Sequence, residues 1–216
     1  AAAIEVKTEG SAGKGLTALG RRIINRMNEL GMMVDLSHVG EQTFYDVLSI
    51  TTKPVLVSHS NAYTLMPHYR NLKDKQLEAL KKNGGVVGVN FYSGFLDPEF
   101  TKRVRKLYRK HMGDRGNYTL STTRQYEKLP KKMQRQADAP LSLLLDHIDY
   151  LVKKVGVRHV AIGSDFDGIE SSPQGLGDVS TFPVLTKALL ERGYSKEDVA
   201  QIMGRNFLRI LKENEN

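Results

Sequence analysis

Met32-Met33-Val34-Asp35-Leu36-Ser37-His38 is a short apolar run that ends in an imidazole, and the chain repeats that pattern. Pro54-Val55-Leu56-Val57-Ser58-His59-Ser60 is a second apolar run closing on Ser-His, and Val160-Ala161-Ile162-Gly163-Ser164-Asp165 closes on a carboxylate. Runs this short and this continuously apolar read as strands covered on both faces, the habit of parallel sheets. Each delivers a metal-type or acid–base side chain at its C-terminal end.

The segments between these runs are helical by spacing. Apolar residues at 16, 19, 23, 24, 27 and 30 form one stripe, and Gly31 follows as the C′ residue. Further helices are expected over Glu41–Ile50, Lys73–Lys82, Leu141–Val155, Pro183–Arg192, Lys196–Met203 and Asn206–Lys212, with Ser195 and Asp198 as a capping box. Strands are expected over Met32–Leu36, Val55–Val57, Val86–Phe91 and Val160–Ile162. Residues 1–14, rich in Gly, Lys and Ala, read as loop. The alternation gives an α/β fold, either doubly wound or a piece of a (β/α)₈ barrel. No Gly-rich phosphate fingerprint follows the first strands, and polar groups recur at C-terminal strand ends, where barrels keep their active sites. Four strands cannot close such a barrel. The expectation is the C-terminal half, about four βα units, of a TIM-like (β/α)₈ barrel, as one partial domain over residues 1–216.

Composition narrows the function. With no Cys, the chain has no disulfide, thiolate ligand or Cys nucleophile, so a metal site must use His, Asp and Glu. No apolar run approaches the roughly 20 residues that span a membrane. The net charge of +8 is local: Lys102 to Arg135 holds 12 basic and two acidic residues, and the remainder is slightly acidic. This basic excursion falls in an insertion at about 97–139, helical around Phe100–Met112 and broken at Gly113–Asn117. It reads as a solvated helical face rather than a nucleic-acid surface.

A lone His at a strand end is more often structural than a ligand. Two of them are another matter, because neighbouring parallel strands lie roughly 5 Å apart and would bring both imidazoles to one metal ion. Asp165, beside that centre, is placed for proton transfer, whereas Asp167-Gly168 is turn chemistry. Arg70, in the loop after His59, would grip a substrate carboxylate if it lies near the metal and is otherwise a solvated cation. Asn90 is a weaker candidate for lining the site. His111, His147 and His159 read as structural.

These residues sit in motifs that resemble the membrane dipeptidase (renal dipeptidase) family of zinc peptidases. They are Gly15–Gly20, Met27–His38, Pro54–Tyr63, Arg70-Asn71, Val89–Tyr92, Gly163–Gly168, Gly175–Ser180 and Asn206–Arg209. The resemblance implies a (β/α)₈ barrel of the metal-dependent hydrolase type that holds two zinc ions. It also implies hydrolysis of dipeptides, often with a D-residue at the C-terminal position. It makes His38 and His59 ligands of one zinc, Arg70 the residue that holds the substrate carboxylate, and Asp165 the acid–base group.

The family's His-x-Asp motif and bridging Glu have no counterpart here, so the chain is expected to carry part of the site and to be inactive as an isolated fragment. Two rival readings stay open: another binuclear metal-dependent amidohydrolase on the same barrel, or a non-catalytic binding module that uses the basic insertion. The sequence leaves compartment and homodimerisation undecided, apart from excluding a disulfide link.

Overall fold

The computed structural model describes residues 15–216. The loop expected over residues 1–14 lies outside them.

Thr17 caps the first helix, α1 (Ala18–Glu29), its side chain accepting from the Gly20 N–H. Gly31, at φ 71°, ends the turn as expected of a C′ glycine. The stripe is only half used: Ile24 is buried, while Leu19 and Leu30 are more than half exposed. Helix α2 (Glu41–Ile50) follows with Phe44 and Val47 inward.

Strands β1 (Leu56–Ser60), β2 (Val86–Val89) and β3 (Val160–Ile162) form a parallel sheet in the order β1-β2-β3. Between them lie α3 (Asp74–Asn83), closed by Gly84 at φ 85°, and α8 (Leu141–Val155). Strand residues of alternate parity face opposite ways, so Val57, Val87 and Val160 pack into the main core with Leu77, Leu80, Leu144, Ile148 and Leu151. Leu56, Val86 and Ala161 form a smaller cluster with Ile210 on the other side.

Several sequence expectations need correction. Met32–Leu36 is not a strand: it contributes one parallel bridge, Asp35 to Leu56, carried by Leu36 N–H to the Leu56 carbonyl and Leu56 N–H to the Val34 carbonyl. It borders the sheet on one side only, and the Asp35 side chain is drawn into hydrogen bonds with Ser37 and Ser58 rather than alternating freely. The second run is a strand from Leu56 that continues three residues beyond its expected end, through His59 to Ser60. The third is shorter and stops at Val89, where the backbone turns to satisfy Asn90. After α9 (Phe182–Glu191), the expected Lys196–Met203 helix is α-helical only to Ala200 (α10, Lys196–Ala200), after which Gln201–Arg205 widens into a π-type turn before α11 (Asn206–Asn214).

The insertion is a small layer of its own. Helix α4 (Ser93–Leu96) leads into α5 (Phe100–Met112), then α6 (Thr122–Glu127) and α7 (Lys131–Ala137). Phe100, Val104, Tyr126 and Ala137 make a separate core, while Lys102, Arg105, Lys106, Arg109 and Lys110 are exposed. No described helix is long and apolar enough to cross a membrane.

His147 on α8 is structural, as expected. Its Nδ1 accepts from the Ala62 N–H (3.1 Å) and its Nε2–H donates to the Leu96 carbonyl (3.2 Å). Burial drives its pKa down to about 4. The folded state thus refuses a proton that the unfolded imidazole accepts near pH 6.5. The stability this gives is fully present above about pH 6.5 and is lost as pH falls towards 4, about 3 kcal/mol in all. Urea denaturation of the intact protein at both ends of that range should show wild type losing about 3 kcal/mol more than His147→Gln, which keeps a donor and an acceptor without a titrating group.

Candidate metal centre and substrate pocket

The structure brings His38, His59, Asp165 and Arg70 to one end of the sheet. His38 Nε2 lies 2.8 Å from His59 Nε2, and the ring centroids are 4.9 Å apart. Asp165 Oδ2 is 4.0 Å from His59 Nε2.

His59 is presented by a local irregularity. Val57 pairs with Val87 and Ser60 with Val89, so β1 spends one residue more than β2 over this step. The bulge turns Ser58 and His59 out of regular alternation, the usual way a sheet re-aims a side chain beside a site. It also pushes the Ser58 carbonyl towards the neighbouring strands. A Cβ at Gly88 would lie 2.1 Å from that oxygen and one at Gly163 only 1.8 Å, so both positions require glycine.

The imidazole is held from behind. Ser58 Oγ donates to Asp35 Oδ2 (2.5 Å) and is left to accept from His59 Nδ1–H (2.7 Å). The His59 lone pair is then on Nε2, facing His38, which is the tautomer a metal ligand needs. Partial burial would raise the Asp35 pKa, but hydrogen bonds from Ser58 and Ser37 outweigh it and hold the carboxyl below its usual value. Burial, aided by the Arg70 cation, lowers the pKa of His38. Burial lowers that of His59 too, although Asp165 opposes it. Two neutral imidazoles whose Nε2 atoms meet at 2.8 Å need a proton or a cation between them. Paired neutral imidazole is a donor set suited to zinc, so the residues present fit such an ion. Among the described residues no group of three or more His, Asp or Glu side chains is arranged to hold a metal.

Asp165 has φ 63°, a left-handed backbone uncommon outside glycine and tolerated best by Asp and Asn. Its Oδ2 accepts from Asn90 Nδ2 (3.1 Å), and Asn90 is in turn fixed by Asn61, which accepts from the Asn90 N–H (3.1 Å). Asn90 therefore positions the candidate acid–base group, a sharper role than lining the site. A Cβ at Gly168 would lie 2.3 Å from Asp165 Oδ1, so glycine there keeps the carboxylate room to turn.

Arg70 Nε and Nη2 both donate to the Ser37 carbonyl (3.2 and 3.0 Å), and the guanidinium lies over the Phe95 ring at 5.4 Å. Burial pushes its pKa down, partly offset by Asp165, and it stays a cation. Its Nη1 makes no hydrogen bond among the described residues, and Arg70 lines a cavity of about 240 Å³ that His38 and Asp165 also line. A second cavity, of about 430 Å³, lies across His59 and Asp165 and is walled by Val179, Phe182 and Met203.

Sequence reading passes over four contributors. Asp35 and Ser58 sit inside apolar runs and look like strand residues. Thr123, on α6, and Glu170, in the loop after β3, wall the smaller cavity but gain meaning only from long-range packing.

The model of the family described as membrane dipeptidase (peptidase family M19) matches residues 1–216. An uncharacterised dipeptidase of Schizosaccharomyces pombe is 42% identical over 209 residues, covering 96% of this chain and 42% of that protein. The dipeptidase tcpJ of Claviceps purpurea is 37% identical, over 94% of this chain and 39% of its own length. Among solved structures, a metallopeptidase from Rhodobacter sphaeroides bound to a phosphinate mimic of L-Ala-D-Ala superposes with a TM-score of 0.73. It is 32% identical to this chain, over 94% of it and 48% of that structure. The chain thus spans about half the length, or less, of these relatives. With a family match along its whole length and a shared α/β architecture, the chain belongs to the membrane dipeptidase family, M19.

Proposed function

We propose that this chain supplies the C-terminal half of a (β/α)₈-barrel, zinc-dependent dipeptidase, and with it one part of the catalytic site. The observation that carries this reading is the meeting of His38 Nε2 and His59 Nε2 at 2.8 Å, with Asp165 4.0 Å from the second. His38 and His59 would hold one zinc ion of a two-ion centre, whose remaining donors are not among the described residues. When bound, zinc polarises a carbonyl and makes water nucleophilic near neutral pH.

The chain's own residues do the rest. Arg70 Nη1 holds the substrate's C-terminal carboxylate, which places the peptide bond by the imidazole pair. The Asp165 carboxylate takes a proton from the attacking water as its oxygen bonds to the carbonyl carbon. It returns that proton to the amine nitrogen as the C–N bond breaks. The phosphinate mimic of L-Ala-D-Ala held by the Rhodobacter relative supports a dipeptide substrate, with a D-residue tolerated at the C-terminal position.

Arg70→Ala in the intact enzyme tests this reading. Loss of a charged hydrogen bond to the carboxylate is expected to raise KM for Ala-Ala and Ala-D-Ala by about 10- to 100-fold. The C-terminal amide of the same dipeptide, already a poor substrate, should change little. Equal losses on both, or hydrolysis indifferent to chelators, would count against the proposal.

A further inference from the structure

Glu170 is an acid without a cation. It lines the 240 Å³ cavity that Arg70, Tyr92 and Thr123 also line. Its Oε1 accepts from the Tyr92 hydroxyl (3.0 Å), while Oε2 has no partner among the described residues, and no Lys, Arg or His there pairs with it. Burial raises the Tyr92 pKa, a Thr123 hydrogen bond offsets part of this, and the Glu170 charge raises it further, so the phenol stays a donor. The backbone around Glu170 is tied down by Gly168 N–H on the Asp165 carbonyl (2.9 Å) and by Ser93 N–H on the Ser171 carbonyl (3.4 Å), while the Tyr92 hydroxyl is what holds the carboxylate itself. Oε2 is therefore the acceptor that Glu170 offers to the cavity, and a cationic donor brought there would form a charge-assisted hydrogen bond with it.

The cavity has space for roughly eight waters at about 30 Å³ each, more than a lysine side chain needs. Arg70 lines the same cavity. The residue whose carboxylate is gripped there is the C-terminal one, so its side chain is the part of the substrate that would share this cavity with Glu170. Resting on the dipeptidase reading above, we propose that Glu170 is a specificity-determining residue. It selects dipeptides whose C-terminal residue carries a cationic side chain, lysine or arginine in type. Thr123, from the basic insertion, completes the wall, which gives the inner edge of that insertion a part in substrate choice while its outer face stays in solvent.

The test is a comparison of kcat/KM for Ala-Lys, Ala-norleucine and Ala-Glu by the intact enzyme, with Ala-Ala as reference. Wild type should favour Ala-Lys over Ala-norleucine, which keeps the four-carbon side chain but lacks the ammonium group, by about tenfold or more. Glu170→Gln keeps an acceptor for Tyr92 and should bring that ratio close to one. Glu170→Lys should turn the preference towards Ala-Glu, a gain that misfolding cannot imitate. A wild-type ratio near one, or a ratio that neither substitution moves, overturns the assignment while leaving the dipeptidase reading intact. Failure to hydrolyse any of the four, Ala-Ala included, brings down both.

Discussion

Asp165→Asn in the intact enzyme is expected to lower kcat on Ala-Ala about 10³-fold, within the range that a positioned general acid–base group contributes. The substitution is well suited to the question. Asn tolerates the left-handed backbone at φ 63° as well as Asp does, and its side-chain oxygen can still accept from Asn90 Nδ2. The fold and the imidazole pair should therefore survive, with a melting temperature close to wild type. What is lost is a group that can take a proton from water and give it to an amine. The loss should fall on kcat with KM nearly unchanged, because the missing interaction belongs to the transition state. Near-normal turnover in a folded, metal-loaded Asp165→Asn enzyme would assign the proton transfer elsewhere.

His59→Ala should be at least as damaging, by another route. It removes one of the two facing nitrogens and empties the bulge that β1 forms around it. Metal affinity should fall by more than the roughly 10- to 100-fold expected when a group one hydrogen bond removed from a metal is lost. Activity should fall in step and recover in part with excess zinc. Asp35→Asn supplies the graded comparison. It weakens the Asp35–Ser58–His59 relay without removing a ligand, so its loss should lie within that smaller range. Metal titration followed by dipeptide hydrolysis reads both; equal zinc affinity in His59→Ala and wild type would exclude His59 as a ligand.

Local periodicity makes much of this fold legible. Helices α2, α5 and α8 and strand β3 occupy the spans their spacing predicts, because each is fixed by a one-sided apolar stripe or a short run bounded by clear breaks. The parallel sheet is foreseen by the continuous apolar runs, and the approach of His38, His59 and Asp165 by their expected place at strand ends, whereas Arg70 is expected only in the loop after His59. The half-barrel is a larger frame than three paired strands and two isolated bridges display among the described residues, and it remains part of the proposal.

The losses have a shared cause. Met32–Leu36 has a strand's composition, but whether it pairs along its length depends on neighbours distant in sequence. The bulge at Ser58-His59 depends on register, which one strand's sequence does not contain. The roles of Asp35, Asn90, Thr123 and Glu170 arise from contacts across 20 or more residues, as in the 3.1 Å bond from Asn90 to Asp165. The insertion shows the same limit. Its charge identifies an exposed face, but only packing of Tyr126 on Phe100 reveals that α6 turns Thr123 towards the site.

The central claim is that His38 and His59 share one metal ion, and anomalous scattering at the zinc edge from crystals of the intact enzyme tests it most directly. The expected result is a zinc peak bonded to both His38 Nε2 and His59 Nε2 at about 2.0–2.1 Å, the usual zinc–imidazole distance. An enzyme that cleaves dipeptides with no anomalous peak between these two nitrogens would contradict it.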